Sequence, residues 1–189
     1  SRNRPKLAYV SPLPPERSGI SDYSAELLPA LSQHYEIEVV VGQGNVADTW
    51  ITAHCPIRSV QWFVENSDRF DRVLYHFGNS AFHQHMFGLL EAIPGVVVLH
   101  DFYLSGIRHH MDVLGYAPGC FTEQLYRSHG YIGLVDRAQA NDVAEVIWKY
   151  PCSRDVVENS IGMIVHSEHS FRLAQRWYGD DGRCWSMIP

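Results

Sequence analysis

The sequence predicts an α/β domain with a parallel sheet, and three observations lead to that fold class. Short runs rich in β-branched and aromatic residues alternate with segments whose apolar residues recur at helical spacing. These runs show little alternating polarity, which is typical of strands that are buried on both faces and covered by helices. A chain of 189 residues with 46% hydrophobic residues is long enough to bury a core of this kind.

The first half of the chain supplies five predicted strands. Strands at 6–10 (KLAYV) and 36–41 (EIEVVV) flank a helix pattern, which makes a βαβ unit. That pattern consists of Ile20, Tyr23, Leu27, Leu28 and Leu31. Pro29 lies inside it and is expected to kink or loosen the helix. The alternation continues with a strand at 57–60, a helix at 61–66, a strand at 71–77, a helix at 81–92 and a strand at 95–101.

The second half predicts a helical insertion and two further strands. Residues 102–161 are mostly helical in pattern, with breaks at 115–119 and 130–133. A strand at 162–167, a helix at 168–178 and a strand at 184–188 follow. Together the elements predict a Rossmann-like sheet with helices on both faces and a helical insertion after the fifth strand.

The predicted organisation is a flexible leader over residues 1–5 and one domain over residues 6–189. The chain stops directly after a predicted strand, with no closing helix. We therefore expect the chain to be part of a longer protein and to end at a domain boundary of that protein.

Charge and cysteine usage argue against several classes of protein. The chain has 15 basic and 21 acidic residues, and its thirteen arginines are scattered. Nucleic-acid grooves and polybasic membrane anchors need clustered cations, so we expect no nucleic-acid partner. The four cysteines form no CxxC pair, which favours reduced thiols in a cytoplasm over a zinc or redox motif. No segment has the pattern of a membrane span or a signal peptide.

The turn SPLPPERSGIS, residues 11–21, is expected to bind a phosphate or diphosphate. Ligands of parallel sheets gather at the carboxyl ends of strands, where a helix N-terminus presents unpaired N–H groups. Gly19 allows close backbone approach, Ser18 or Ser21 is a candidate helix cap, and the prolines stiffen the loop. A plain tight turn is the alternative. The turn contains neither GxGxxG nor GK[ST], which argues against dinucleotide-dependent oxidoreductases and P-loop NTPases.

Two further strand ends bring polar side chains to the same edge of the sheet. His100 can exchange a proton with a substrate, and Asp101 can accept hydroxyl hydrogen bonds or orient the imidazole. His76 and Asn79 arrive from the neighbouring strand, and Arg108 is expected to help shape a pocket for a polar, ring-shaped ligand. The structural alternatives are a satisfied histidine at a strand end and a turn with a helix cap around Asn79.

The other histidines do not favour a metal site. His83 and His85 are two residues apart and point in different directions on a helix, and the adjacent His109 and His110 cannot both face one ion comfortably. We expect no metal, and we assign these side chains and His129 to the surface or to the wall of a pocket.

Three segments together resemble the N-terminal half of bacterial family 4 glycosyltransferases, which are retaining enzymes of the GT-B fold. They are residues 11–41, 75–104 and 161–170, in the order found in that family and across nearly the whole chain. The resemblance implies that the chain is one half of a GT-B fold. It also implies that the Gly19 turn approaches a donor diphosphate, that His100 contacts the transferred sugar, and that Ser167 caps a helix near the cleft.

If the resemblance holds, the intact protein transfers a hexose from a nucleotide sugar to a polysaccharide or glycolipid acceptor, with retention and without a metal cofactor. His100 is then the catalytic residue, and the substrate-binding residues are Ser18, Gly19, Ile20, His76, Asn79, Asp101, Arg108 and Ser167. Many members carry Gly-Gly where this chain has Ser18-Gly19. The donor-binding C-terminal domain with its E-x7-E motif has no counterpart here, so the isolated chain is expected to be inactive.

The expected partners are a nucleotide sugar and a glycan or lipid-linked saccharide acceptor. We expect a cytoplasmic protein, with peripheral contact at the inner membrane left open through Trp62, Phe63 or the aromatic region 103–131. The main alternative is a standalone Rossmann-like module that binds a nucleotide, a glycan or a protein without catalysis. A sugar-nucleotide epimerase of the GT-B type is a weaker alternative.

Overall fold

Seven parallel strands form the central sheet in the computed structural model, which describes residues 4–180 and 182–189. The strands are β1 (Lys6–Val10), β2 (Glu36–Val41), β3 (Ile57–Ser59), β4 (Arg72–Phe77), β5 (Val96–Leu99), β6 (Gly162–Val165) and β7 (Trp185–Met187). Their spatial order is β3-β2-β1-β4-β5-β6-β7. The predicted Rossmann-like α/β fold class is therefore confirmed.

Ten α-helices connect and cover these strands in the described part of the chain. They are α1 (Gly19–Leu31), α2 (Thr49–His54), α3 (Val60–Asn66), α4 (Met86–Ala92), α5 (Ser105–Val113), α6 (Cys120–His129), α7 (Tyr131–Gln139), α8 (Val143–Lys149), α9 (Arg154–Asn159) and α10 (Glu168–Tyr178). Helices α5 to α9 form the predicted insertion between β5 and β6. The predicted break at 115–119 separates α5 from α6, whereas only Gly130 of the predicted break at 130–133 lies between α6 and α7. Within the described residues, no helix has the length and apolar character needed to cross a bilayer.

Three details differ from the sequence prediction or refine it. Helix α2 was not predicted; it begins at a cap in which the Asp48 side chain accepts from the backbone N–H of Ile51 at 2.8 Å. The predicted helix at 81–92 is divided into a 3₁₀ turn (Ala81–His83) and α4. Helix α1 runs on through Pro29 for two more residues, so the missing N–H of the proline falls in the last turn.

The predicted leader lies only partly within the described residues, because residues 1–3 are outside them. Arg4 donates a hydrogen bond to the carbonyl of Ser32, and the carbonyl of Pro5 accepts from the N–H of Glu36 at 2.9 Å. The last two residues of the predicted leader are thus bonded to the end of α1 and to β2.

The sheet is buried on both faces, which explains the apolar runs in the sequence. Along β1, Leu7 and Tyr9 pack with α1 and α2, while Ala8 and Val10 face the opposite layer with α3, α4, α5, α9 and α10. A third apolar cluster lies inside the insertion and contains Phe121, Leu125, Val146, Tyr150 and Cys152. The insertion therefore has a small core of its own, which Trp177 of α10 joins to the rest of the domain.

The strand order creates a switch point between β1 and β4. The chain proceeds from β1 outward to β2 and β3, then crosses back to place β4 on the other side of β1. In open parallel sheets the crevice at the carboxyl ends of two such strands is the usual place for a ligand. The first turn and the loop after β4 both lie at this edge.

Gly95, just before β5, is expected to be intolerant of a side chain. A Cβ atom at this position would lie 2.7 Å from the carbonyl oxygen of Val73 and 2.9 Å from the ring of Tyr75. We expect Gly95→Ala to lower the free energy of unfolding by about 1–3 kcal/mol. The matched control is Gly88→Ala in α4, where no atom from outside the local helix backbone lies within 4 Å of the new Cβ. This control should be neutral or stabilising by up to about 1 kcal/mol, and equal urea midpoints for the two variants would contradict the prediction.

Candidate functional site

Three histidines from neighbouring strands meet at the carboxyl edge of the sheet. His76 lies on β4, His100 follows β5 and His166 follows β6. The Nδ1 atom of His76 is 3.0 Å from the Nε2 atom of His100, and the ring centroids of His100 and His166 are 4.8 Å apart. We call these three residues, together with Tyr23, the histidine cluster.

Tyr23 reaches the three histidines from the second turn of α1. Its ring centroid lies 5.9 Å from that of His76, 5.0 Å from that of His100 and 5.4 Å from that of His166. It meets the last two rings edge to face, which is a favourable arrangement for aromatic pairs. Tyr23 therefore holds the histidine rings in place and positions the start of α1 beside them.

Burial keeps the imidazoles of His76 and His100 uncharged at neutral pH. The pKa of His76 lies well below its usual value because the ring is fully buried and is repelled by charge on the neighbouring histidines. Burial, with repulsion from His166 and His83, also lowers the pKa of His100 to about 4, although the Asp101 carboxylate acts in the opposite direction. His76 and His100 therefore offer neutral hydrogen-bonding groups rather than cations. His100 itself is partly exposed and can be reached by a ligand.

The first turn ends in a capped helix with open space above it. The Oγ atom of Ser18 accepts from the backbone N–H of Ser21 at 3.1 Å, so Ser18 is the cap of the two candidates. Gly19 is exposed and has no atom within 4 Å of the position that a Cβ would take. The N-terminus of α1 is therefore open to solvent, and phosphate binding by this turn stays a prediction.

Ile20 is the predicted site residue that packs inward. A Cβ atom on Gly78 would lie 2.3 Å from the Cδ1 atom of Ile20 and 3.2 Å from an oxygen of Asp101. The glycine thus lets the first turn of α1 approach the loop after β4. Because Gly78 has no side chain, Ile20 of α1 can pack against the loop after β4.

Asn79 and Asp101 are bonded to each other and to the insertion. The backbone N–H of Asn79 donates to Asp101 Oδ2 at 2.9 Å, and the side-chain oxygen of Asn79 accepts from the N–H of Ile107 in α5 at 2.8 Å. Asn79 thus accepts from an N–H in the first turn of α5, whereas the structural alternative placed a cap at the helix that directly follows it, where no side-chain cap bond is formed among the described residues. Both residues are exposed, and among the described residues nothing bonds the Asn79 side-chain nitrogen or Asp101 Oδ1, so these atoms are free to meet a ligand.

Arg108 lies apart from the histidine cluster. It is 4% exposed, donates to Asp155 Oδ2 and stacks 3.5 Å from the ring centroid of Phe87, which belongs to the layer on the other face of the sheet from Tyr9 and His76. The structure therefore does not bring Arg108 together with the other predicted site residues. It lines a separate cleft with His85, Gln124 and Tyr116.

Ser167 is the N-cap residue of α10, beside the histidine cluster. Two members of the cluster, His166 and Tyr23, were not predicted as site residues. The Oγ atom of Ser167 accepts from the N–H of Ser170 at 3.4 Å. His166 directly follows β6, as His100 directly follows β5, so the rule that selected His100 would also have found His166. Tyr23 lies four residues after Gly19, so the two residues are on the same face of α1.

A crevice of about 160 Å³ lies at the same edge, over the switch point. Its walls include Glu16, Gly42, Gln43, Phe82 and His85. Gln43 is fixed by two hydrogen bonds to the backbone of Leu13, at 2.9 and 2.7 Å. The aromatic ring of Phe82, the amide of Gln43 and the carboxylate of Glu16 are groups of the kind that bind a hydroxylated ring.

The described residues contain no group of three or more His, Cys, Asp or Glu side chains arranged to hold a metal ion. Within the histidine cluster, His76 instead bonds to His100, and His166 bonds to the backbone carbonyl of Ile188. All four cysteines are free thiols.

No model of a known protein family matches the chain, and no curated protein is significantly similar to it in sequence. A Rossmann-like sheet by itself serves many chemistries and does not define one of them.

Proposed function

We propose that this chain is the acceptor-side N-terminal domain of a retaining glycosyltransferase. The intact protein would transfer a hexose from a nucleotide sugar to a polysaccharide or glycolipid acceptor. The observation that carries the proposal is the histidine cluster, in which a neutral and partly exposed His100 lies beside the open N-terminus of α1.

A saccharide is the ligand class that these groups favour. Sugars present uncharged hydroxyl groups, which are bound by neutral imidazoles, amides and carboxylates. His100 supplies the imidazole, and Asp101 and Asn79 each retain a polar atom that no described residue bonds. The crevice over the switch point, with the exposed ring of Phe82, has room for part of a sugar chain.

The N-terminus of α1 supports the diphosphate part of the proposal. A helix of 13 residues carries a partial positive charge at its start, and Ser18 satisfies only one of the first N–H groups. Charge that develops on a leaving diphosphate would be stabilised there without a metal ion. His100 would then hydrogen-bond the transferred sugar beside it.

A binding titration with the 189-residue chain tests the proposal. The probes are a hexose oligosaccharide, UDP-glucose and GDP-mannose, each followed by backbone amide shifts in NMR spectra. We expect saccharide binding, and we expect His100→Ala to weaken it at least about tenfold, the value of one hydrogen bond to a buried polar group. The matched control is His110→Ala, an exposed histidine of α5, which should bind like the wild type.

The outcomes separate the proposal from its alternative. Saccharide binding that is unchanged in His100→Ala would contradict the proposed site. Binding of the nucleotide alone, with no saccharide binding, would favour a Rossmann-like nucleotide-binding module. In the intact protein, His100→Ala is expected to lower transfer far more than stability, and wild-type turnover in that variant would remove His100 from the mechanism.

A further inference from the structure

We infer that His76 is a positioning residue that holds the proton of His100 on Nδ1, so that His100 offers its ligand a hydrogen-bond donor. The nature of the ligand, a sugar oxygen, rests on the proposed function. The position of the proton does not, because it follows from the hydrogen bonds around the two rings.

His76 and His100 share one proton across a single contact. His76 Nδ1 and His100 Nε2 are 3.0 Å apart. Both rings are neutral at neutral pH, so one of these nitrogens donates and the other accepts. If His76 donates, its Nε2 atom is bare and His100 carries its proton on Nδ1. If His100 donates, His76 carries its proton on Nε2 and the Nδ1 atom of His100 is bare.

The surroundings of His76 Nε2 distinguish the two arrangements. This atom is buried and has no hydrogen-bond partner among the described residues. If His100 were the donor, an N–H group would be buried at this point without an acceptor, which folded proteins rarely tolerate. If His76 is the donor, only a lone pair is left without a partner. The burial of Nε2 therefore favours His76 Nδ1–H as the donor.

Two adjacent histidines follow the same pattern. His83 Nδ1 is 2.8 Å from the carbonyl oxygen of His76, and His166 Nδ1 is 2.8 Å from the carbonyl oxygen of Ile188. A carbonyl can only accept, so both Nδ1 atoms carry a proton, and the lowered pKa of His83 leaves the Nε2 atom of that ring bare. The Nε2 atoms of both rings are also buried without a partner in the described part of the chain. His76 in its Nδ1–H form matches these neighbours.

The consequence is a fixed chemical role for His100. Its Nε2 atom accepts from His76, and its Nδ1–H group is left for a ligand. An N–H donor binds an oxygen atom of a hydroxyl, an ether or a phosphate. In this form His100 does not remove a proton through Nδ1, so it acts as a hydrogen-bond donor and not as a general base.

NMR spectra of the ligand-free chain with ¹⁵N-labelled histidine test the inference. Two-bond ¹H–¹⁵N correlations show which ring nitrogen carries the proton, and His100→Ala assigns the His100 signals. We expect His100 in the Nδ1–H form at neutral pH. His76→Phe removes the donor, so His100 should revert to the Nε2–H form that a neutral imidazole ordinarily prefers. His76→Asn places an amide donor near the position of Nδ1 and should preserve the wild-type form.

Each result supports or overturns the inference. A wild-type spectrum in which His100 Nδ1 is bare overturns it, as does a His76→Phe spectrum in which His100 keeps Nδ1–H. Unchanged signals from His129, in the insertion, show that a variant is folded. If His76→Phe does not fold, the wild-type and His76→Asn spectra still decide the position of the proton. No ligand is present, so failure of saccharide binding would refute the proposed function and leave this result intact.

Discussion

Replacing Asp155 by alanine is expected to lower the free energy of unfolding by about 3–5 kcal/mol, because it leaves a buried guanidinium without its counter-ion. The side chain of Arg108 is 4% exposed and that of Asp155 is 15% exposed. Arg108 Nε already has no hydrogen-bond partner among the described residues, so the bond from Nη2 to Asp155 is the main compensation for burying the charge. Removal of one partner from such a pair lowers the free energy of unfolding by far more than the intact pair contributes to it.

Glu158→Ala is the matched control in the same helix. Glu158 pairs with Arg154 across one turn of α9, and both side chains are 46% exposed. The loss of an exposed pair of this type should cost at most about 1 kcal/mol. Urea unfolding at neutral pH measures both variants, and a loss in Asp155→Ala no larger than that in Glu158→Ala would show that Arg108 is not effectively buried.

The Arg108–Asp155 pair also shows where sequence reasoning about the site fails. The two residues are 47 positions apart, on α5 and α9, and no local pattern connects them. A single arginine after an apolar strand favours a ligand-binding role when only the sequence is known. Its burial against Phe87 depends on how the insertion folds back on the sheet, which local sequence patterns do not determine.

The strands were predictable because each is a short apolar run that must be buried on both sides. The run VVVL in β5 has no polar position, and parallel packing between two helical layers is the arrangement that hides it. The turns around Gly115 and Gly130 were predictable because glycine accepts positive φ, and these two have φ values of 71° and 73°. Helix α2 was missed because six residues are too short to show a periodic pattern.

The site was predictable in its location but not in its contacts. Strand ends in a parallel sheet share one edge, so His76 and His100 were expected to lie near each other. Their direct bond depends on the register of β4 and β5, in which Phe77 is paired with Leu99. A shift of one residue would turn His76 toward the opposite helical layer, and the sequence alone does not set that register.

Lowering the pH from about 7.5 to about 5 is expected to destabilise the domain, because several histidines are buried in their neutral form. Burial lowers the pKa of His83 to about 4, whereas in the unfolded chain the value is about 6.5. Below pH 6.5 the unfolded state therefore binds more protons than the folded state, and stability falls as the pH falls toward 4. For His83 alone the loss is about 2 kcal/mol by pH 5. Burial also lowers the pKa values of His76, His85, His100 and His129.

His83→Asn isolates the share of one buried histidine in this acid sensitivity. The asparagine amide can still donate to the carbonyl of His76, which His83 Nδ1 reaches at 2.8 Å, but it does not titrate. We expect the free energy of unfolding of this variant, measured with urea between about pH 7.5 and about pH 5, to fall by about 2 kcal/mol less than that of the wild type. His34→Asn, at an exposed position, should leave the loss unchanged. Ordinary carboxyl groups titrate mainly below this window, so equal losses in all three proteins would mean that His83 is protonated in the folded state or accessible to water.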